Sequence, residues 1–317
     1  MKVEVRGILF ALIFAAGFGA AAQEKFSPVI AGPYRVLFQP EKRGKAVNDH
    51  TIFQDAQGDW RMIGILVTGI NILDTPWFAH GVTRSLEKQM DELAPLFGAY
   101  PDRGRKYAPH VIVDQGIYHL YAGPGKIRHY LSRDGIDWEF KGIVIDTGWP
   151  HLRDTMVLKI GDSQWLMYAT DRDNSIAVFE SADLNRWSRK GAAFKAKKPA
   201  PVYPAWLNIS ACESPFVIYY HGYYYLSVCL TSALKPSSYN NTVIIRSKNP
   251  LDFGVFAQGG KGQTSEHVTT LASHASEYIR DKEGNWHITS CGFREFKPAK
   301  GAKRGVLSIA PLKWVKQ

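Results

Sequence analysis

The chain has 317 residues, of which 45% are hydrophobic and 21% charged, with a formal net charge of +10. That apolar fraction is enough for a sizeable core and excludes a disordered tail or a low-complexity fibre, and the length suits one large domain or two small ones. The basic excess lies in short segments such as Lys195 to Lys198 and Lys297 to Arg304. No nucleic-acid motif accompanies them, so an acidic glycan or an anionic cell surface is the partner class that the charge suits.

The N-terminus reads MKVEVRG and then ILFALIFAAGFGAAAQ, with small residues at Ala20 and Ala22. A charged start, a short apolar stretch and small residues form a secretory leader over residues 1–22, with cleavage after Ala22. The stretch is short for a bilayer span, and no later segment is long enough to provide one, so no membrane span is expected. The destination is periplasmic or extracellular. Cys212, Cys229 and Cys291 form no close-spaced pair and no metal pattern. They read as small buried hydrophobes rather than a disulfide framework.

From Asn48 onward one phrase recurs five times: a polar leader, an apolar run, a Gly-centred turn and an aromatic-rich strand. It appears as NDHTIFQDAQGDWRMIGI, APHVIVDQGIYHLYAG, RDTMVLKIGDSQWLMYAT, ESPFVIYYHGYYYLSVC and HASEYIRDKEGNWHITSC. The leaders Asp49, His110, Asp154, Glu213 and His274 are 61, 44, 59 and 61 residues apart. Each phrase is a hairpin signal, and third strands follow at His129 to Phe140, Ala177 to Trp187 and Val243 to Phe253. Repeats of this length and strand content predict an all-β, five-bladed β-propeller over 23–317, with three to four antiparallel strands per blade. A helix is predicted only at SLEKQMDELAPL (Ser85 to Leu96), where Leu86, Met90 and Leu93 share a face. The Pro-rich stretch from Lys190 to Trp206 reads as a long connection between blades three and four.

In a propeller the first strands of all blades line one channel, so their leaders converge on one mouth. Three carboxylates there cannot share one affinity for protons, and glycoside cleavage needs one acid protonated beside one ionised.

These motifs resemble the five-bladed glycoside hydrolases of families 43 and 32, the arabinanase, xylosidase and invertase superfamily. VND ending at Asp49 is similar to the first-blade motif, Arg153-Asp154 to the third, and ESPFVIYYHGYYYL to the fourth. Tyr107 to His110, Ser273 to Ser276 and the closing GVLSIAPLKW complete the likeness. The resemblance implies Glu213 as general acid, Asp154 as its orienting and pKa-raising partner, and Asp49 as base or nucleophile. Asp49 and Asp154 are followed by His50 and Thr155 where those families usually carry Pro. His274 would organise a Ca2+ or a water on the channel axis, or serve as a hydrogen-bonded channel residue; no cofactor is otherwise required. Arg153 and His110 are candidate contacts to sugar, and Trp77, Tyr107, Trp206 and Tyr239 are candidate stacking platforms. The expected activity is removal of a terminal furanosyl or related sugar from an oligo- or polysaccharide. A phosphorylase on the same scaffold and a catalytically silent sugar-binding propeller are the alternatives.

Overall fold

The computed structural model describes residues 23–41, 45–68, 77–97, 105–197, 212–231, 239–257, 260–292, 297–301 and 305–317. Two short strands come first, β1 (Phe26–Ile30) and β2 (Arg35–Phe38). Blade one follows as β3 (Ala46–Gln54), β4 (Trp60–Val67), β5 (Phe78–Thr83) and β6 (Asp91–Leu96). Blade two is β7 (Tyr107–Asp114), β8 (Ile117–Gly123), β9 (Lys126–Ser132) and β10 (Glu139–Asp146). Blade three is β11 (Arg153–Gly161), β12 (Gln164–Asp171), β13 (Ser175–Ser181) and β14 (Ser188–Lys197). Blade four comprises β15 (Cys212–Tyr220), β16 (Tyr223–Leu230), β17 (Thr242–Ser247) and β19 (Glu266–Leu271). Between its last two strands, β18 (Val255–Ala257) departs to pair in parallel with β14 of blade three. Blade five is β20 (Tyr278–Arg280), β21 (Trp286–Cys291) and β22 (Leu307–Lys316). Its outer edge is completed by β1, from Phe26 opposite Lys316 to Ile30 opposite Leu312. The first and last strands of the described residues therefore share one sheet and close the ring.

The five-bladed propeller is the predicted one, with a full four strands in every blade. Turn chemistry sets the hairpins: Gly58, Gly116, Gly222 and Gly284 hold φ of 85, 77, 81 and 86°. Glycine adopts that left-handed backbone without the steric cost of a Cβ. Gly161 instead ends β11 opposite Gln164. Second strands are packed on both faces, and all eight positions of β4 are buried. The core consists of layers between blades. Leu166, Tyr168, Ile176 and Val178 of blade three meet Val217, Leu226, Val228 and Ile245 of blade four.

Two local expectations are corrected. Ser85 to Leu96 is a turn followed by β6, not a helix. The apolar spacing that suggested a helix serves another packing: Leu86 and Met90 are buried beside Leu37 and Phe38, and the Met90 N–H donates to the Leu37 carbonyl at 2.7 Å. An open ladder on β5 overrides a local preference worth only tenths of a kcal/mol per residue. Pro95, which has no N–H to give, is tolerated because β6 is an edge strand with a register break. Likewise Lys190 to Lys197 is not a connection but lies in β14, the outer strand of blade three. Residues 198–211, and with them Trp206, lie outside the described residues, as does the leader over 1–22. Among the described residues no helix is long and apolar enough to cross a membrane.

Cys212, Cys229 and Cys291 form no disulfide and are buried. Burial pushes the Cys229 thiol up to about 12 and Cys291 well above its usual range. Because the thiolate is the reactive species, the native protein is expected to leave all three unmodified by an aromatic disulfide reagent. Addition of denaturant should release three equivalents, and fast reaction of the native protein would contradict this burial.

Candidate active site

The mouth of the channel is built by a defect repeated at the start of four of the five inner strands. Register breaks fall between Asn48 and His50 in β3, Tyr107 and His110 in β7, Arg153 and Met156 in β11, and Glu213 and Phe216 in β15. A bulge bends the strand and re-aims its side chains. Left-handed non-glycine residues mark four of the five strand starts: Ala108, Asp154, Ser214 and Ala275, with φ between 39 and 55°. Such conformations cost of order 1–3 kcal/mol and persist where the surroundings enforce them, commonly at functional sites. Aligned on these residues, the five leaders stand at different levels. Asp154 is itself the left-handed residue, Glu213 and His274 precede theirs by one, and His110 follows its own by two.

Arg153 ties the acids together. Its Nη2 donates to Glu213 Oε2 at 3.0 Å, and its Nε lies 3.3 Å from Asp154 Oδ2. That same Oδ2 accepts from Thr170 Oγ1 at 2.8 Å and from the Ser214 N–H at 3.2 Å. Asp154 Oδ1 is buried with no hydrogen-bond partner among the described residues. Asp49 Oδ1 stands 3.5 Å from Ser214 Oγ and 3.9 Å from His274 Nε2. Exposure separates the roles. The Asp49 and Glu213 side chains keep 14% and 15% of their surface, whereas Asp154 keeps 2%. The first two can meet a ligand; the third can act only through its neighbours.

The electrostatics follow from burial in a crowded mouth. Burial, then the negative charges of Asp154 and Glu213, push the Asp49 carboxyl well above the usual range, with Arg153 opposing. Asp154 is also raised, by burial first, against the pull of Arg153 and its hydrogen bonds from Thr170 and Ser214. Burial works against the Arg153 charge, yet Asp154 and Glu213 hold it above its ordinary value. His274, 1% exposed and edge-on to the Tyr239 ring at 5.0 Å, is pushed down to about 4 by burial and is neutral at physiological pH.

The other sequence candidates are spread more widely. His110 is buried, its Nε2 donating to the Val157 carbonyl at 3.3 Å and its Nδ1 3.5 Å from Glu277 Oε1. Tyr107 begins β7 half-buried; burial raises its hydroxyl, which also feels Arg105, Arg153 and Asp154. Trp77 is 40% exposed at the start of β5, on the mouth side of blade one. Tyr239 is buried against His274 rather than open to a sugar. Sequence reasoning missed Ser214, Thr170 and Glu277. The last was legible as the acid in HASE, where the aligned phrases carry Met156 and Phe216. Asp49, His110, Asp154, Ser214 and Glu277 all line one central cavity of about 310 Å³, measured with its open mouth. Among the described residues no three His, Cys, Asp or Glu side chains group to hold a metal ion.

The sequence matches no family model and no curated protein. Solved structures do resemble the chain. An exo-1,5-α-L-arabinanase from a bovine ruminal metagenomic library is 16% identical with a TM-score of 0.61, covering 86% of this chain and 97% of its own. The Cellvibrio cellulosa α-L-arabinanase is 15% identical with a TM-score of 0.61, covering 86% and 91%. A family-43 endo-arabinanase from Bacillus licheniformis is 15% identical with a TM-score of 0.58, covering 86% and 93%. At such identities the likeness is one of architecture: the chain is a five-bladed β-propeller of the form taken by family-43 arabinanases and xylosidases.

Proposed function

We propose that the protein is an exported glycoside hydrolase that removes a terminal furanosyl or related sugar from an oligo- or polysaccharide. The observation that carries this reading is the set of Asp49, Asp154 and Glu213 around Arg153 at one channel mouth. Glu213 donates its proton to the leaving glycosidic oxygen. Asp49, from the other side, activates water or attacks the anomeric carbon. Asp154 keeps Arg153 in place between the acids, and its charge favours the positive, oxocarbenium-like transition state. Tyr107 and Trp77 offer rings to sugar faces, and the basic chain suits a glycan that carries acid groups.

The decisive experiment is a glycan panel followed by proton NMR of the first product, which yields the sugar and its anomer together. Release only in the presence of phosphate would favour a phosphorylase, and tight binding without product a silent sugar-binding propeller. Export is checked separately by N-terminal sequencing of secreted protein, with Gln23 expected first.

The raised Asp49 carboxyl also predicts a pH profile. A base works only when ionised, so kcat/KM should fall on acidification through a midpoint above 3.8, the ordinary Asp value. A profile flat down to pH 4 would remove Asp49 from that role.

A further inference from the structure

We infer that His50 is a positioning residue for Asp49, clamping the strand that carries this carboxylate against blade five; the inference rests on the hydrolase reading above and deepens it. Asp49 lies in the register break of β3, between the pairs Asn48 with Ile65 and His50 with Gly64, so the ladder does not hold it directly. Its two neighbours Ser214 Oγ and His274 Nε2 stand at long range, 3.5 and 3.9 Å. The adjoining residue is gripped much more firmly. The His50 ring is 5% exposed and crosses to the second strand of blade five, with Nε2 2.7 Å from Thr289 Oγ1 and Nδ1 3.2 Å from Cys291 Sγ.

A second tie reinforces the first. The Ile52 N–H donates to Glu277 Oε2 at 2.8 Å. Glu277 and Thr289 are themselves joined, the Glu277 N–H to Thr289 Oγ1 and the Thr289 N–H to the Glu277 carbonyl, each at 3.0 Å. Blade five thus holds β3 at two points just beyond Asp49, across the seam where the ring closes. The strand opposite is fitted to this clamp: a Cβ added at Gly64 would lie 3.2 Å from His50 Cβ and 2.8 Å from Val47 Cγ2. Burial pushes the His50 imidazole down to about 4, so the ring stays neutral at the pH where the acids work. His50 also lines the central cavity, but both its ring nitrogens are engaged inside the protein, so it acts through Asp49.

The test uses the full mature chain. His50→Ala is expected to lower kcat about 10- to 100-fold, the scale for a displacement of about 1 Å at a reacting group, with KM changed less than about threefold. His50→Gln, whose amide reaches toward Thr289, should recover most of that loss, and Thr289→Val should reproduce it from the blade-five side. In an Asp49→Asn background, His50→Ala should change the residual rate less than about twofold. Crystal structures of wild type and His50→Ala should show the Asp49 carboxyl displaced from Ser214 by about 1 Å or more. Unchanged kcat, an equal loss without Asp49, or a carboxylate that stays in place would each overturn the inference. A wild-type protein that cleaves nothing fails the hydrolase reading alone, because the crystallographic comparison still decides the role of His50.

Discussion

Glu213→Gln is expected to reduce turnover of a natural glycoside at least about 100-fold while leaving the propeller folded. Removing a general acid forfeits roughly two to four orders of magnitude when the leaving group is a sugar hydroxyl. A Gln carbonyl can still accept from Arg153 Nη2, which lies 3.0 Å from the Glu213 oxygen, so the local geometry should survive. The loss should shrink sharply on an aryl glycoside with an acidic leaving group, since that departure needs no proton. This dependence separates proton donation from simple damage to the mouth. An activity within about threefold of wild type on both substrates would remove Glu213 from catalysis.

The largest stability effect is expected at Arg153. Its side chain is 12% exposed and faces Asp154, which keeps 2% of its surface, and Glu213. Arg153→Met leaves a buried carboxylate without its cation, and breaking such a pair from one side typically costs about 3–5 kcal/mol. Urea unfolding at neutral pH should show that loss, and activity should disappear with it. The Asp49 carboxyl, already raised, should rise further because Arg153 is the cation that opposes its shift. Arg153→Lys should recover part of the stability but little activity, since an ammonium cannot reproduce the planar two-sided contact. Stability unchanged within about 1 kcal/mol in the Met variant would mean that water, not Arg153, satisfies these acids.

How far the sequence carried can be seen at individual positions. Asp154 and Glu213 were found because each opens a phrase whose turn glycine and aromatic strand are local chemistry. The link between them was not legible, because Arg153 beside Asp154 could equally have paired elsewhere. Trp77 and Tyr107 were proposed as sugar platforms together with Tyr239, but only packing could show that Tyr239 is turned against His274. His50, conspicuous in the sequence only as the residue standing where the resembling enzymes carry Pro, gained its meaning from Thr289 and Cys291, more than 230 residues away.

The sequence by itself determined the number of blades, their order and the acids that open them. Those features depend on alternation, turn glycines and spacing, which act between near neighbours. Only the tertiary structure decided that Ser85 to Leu96 completes a blade as β6, that β1 seals the ring against β22, and that the leaders stand at different positions relative to the left-handed residue of each strand start. It also decided the burial that raises Asp49 and keeps His274 neutral. Strand partners and desolvation are set by residues far apart in the chain, and neither is written in any one segment of it.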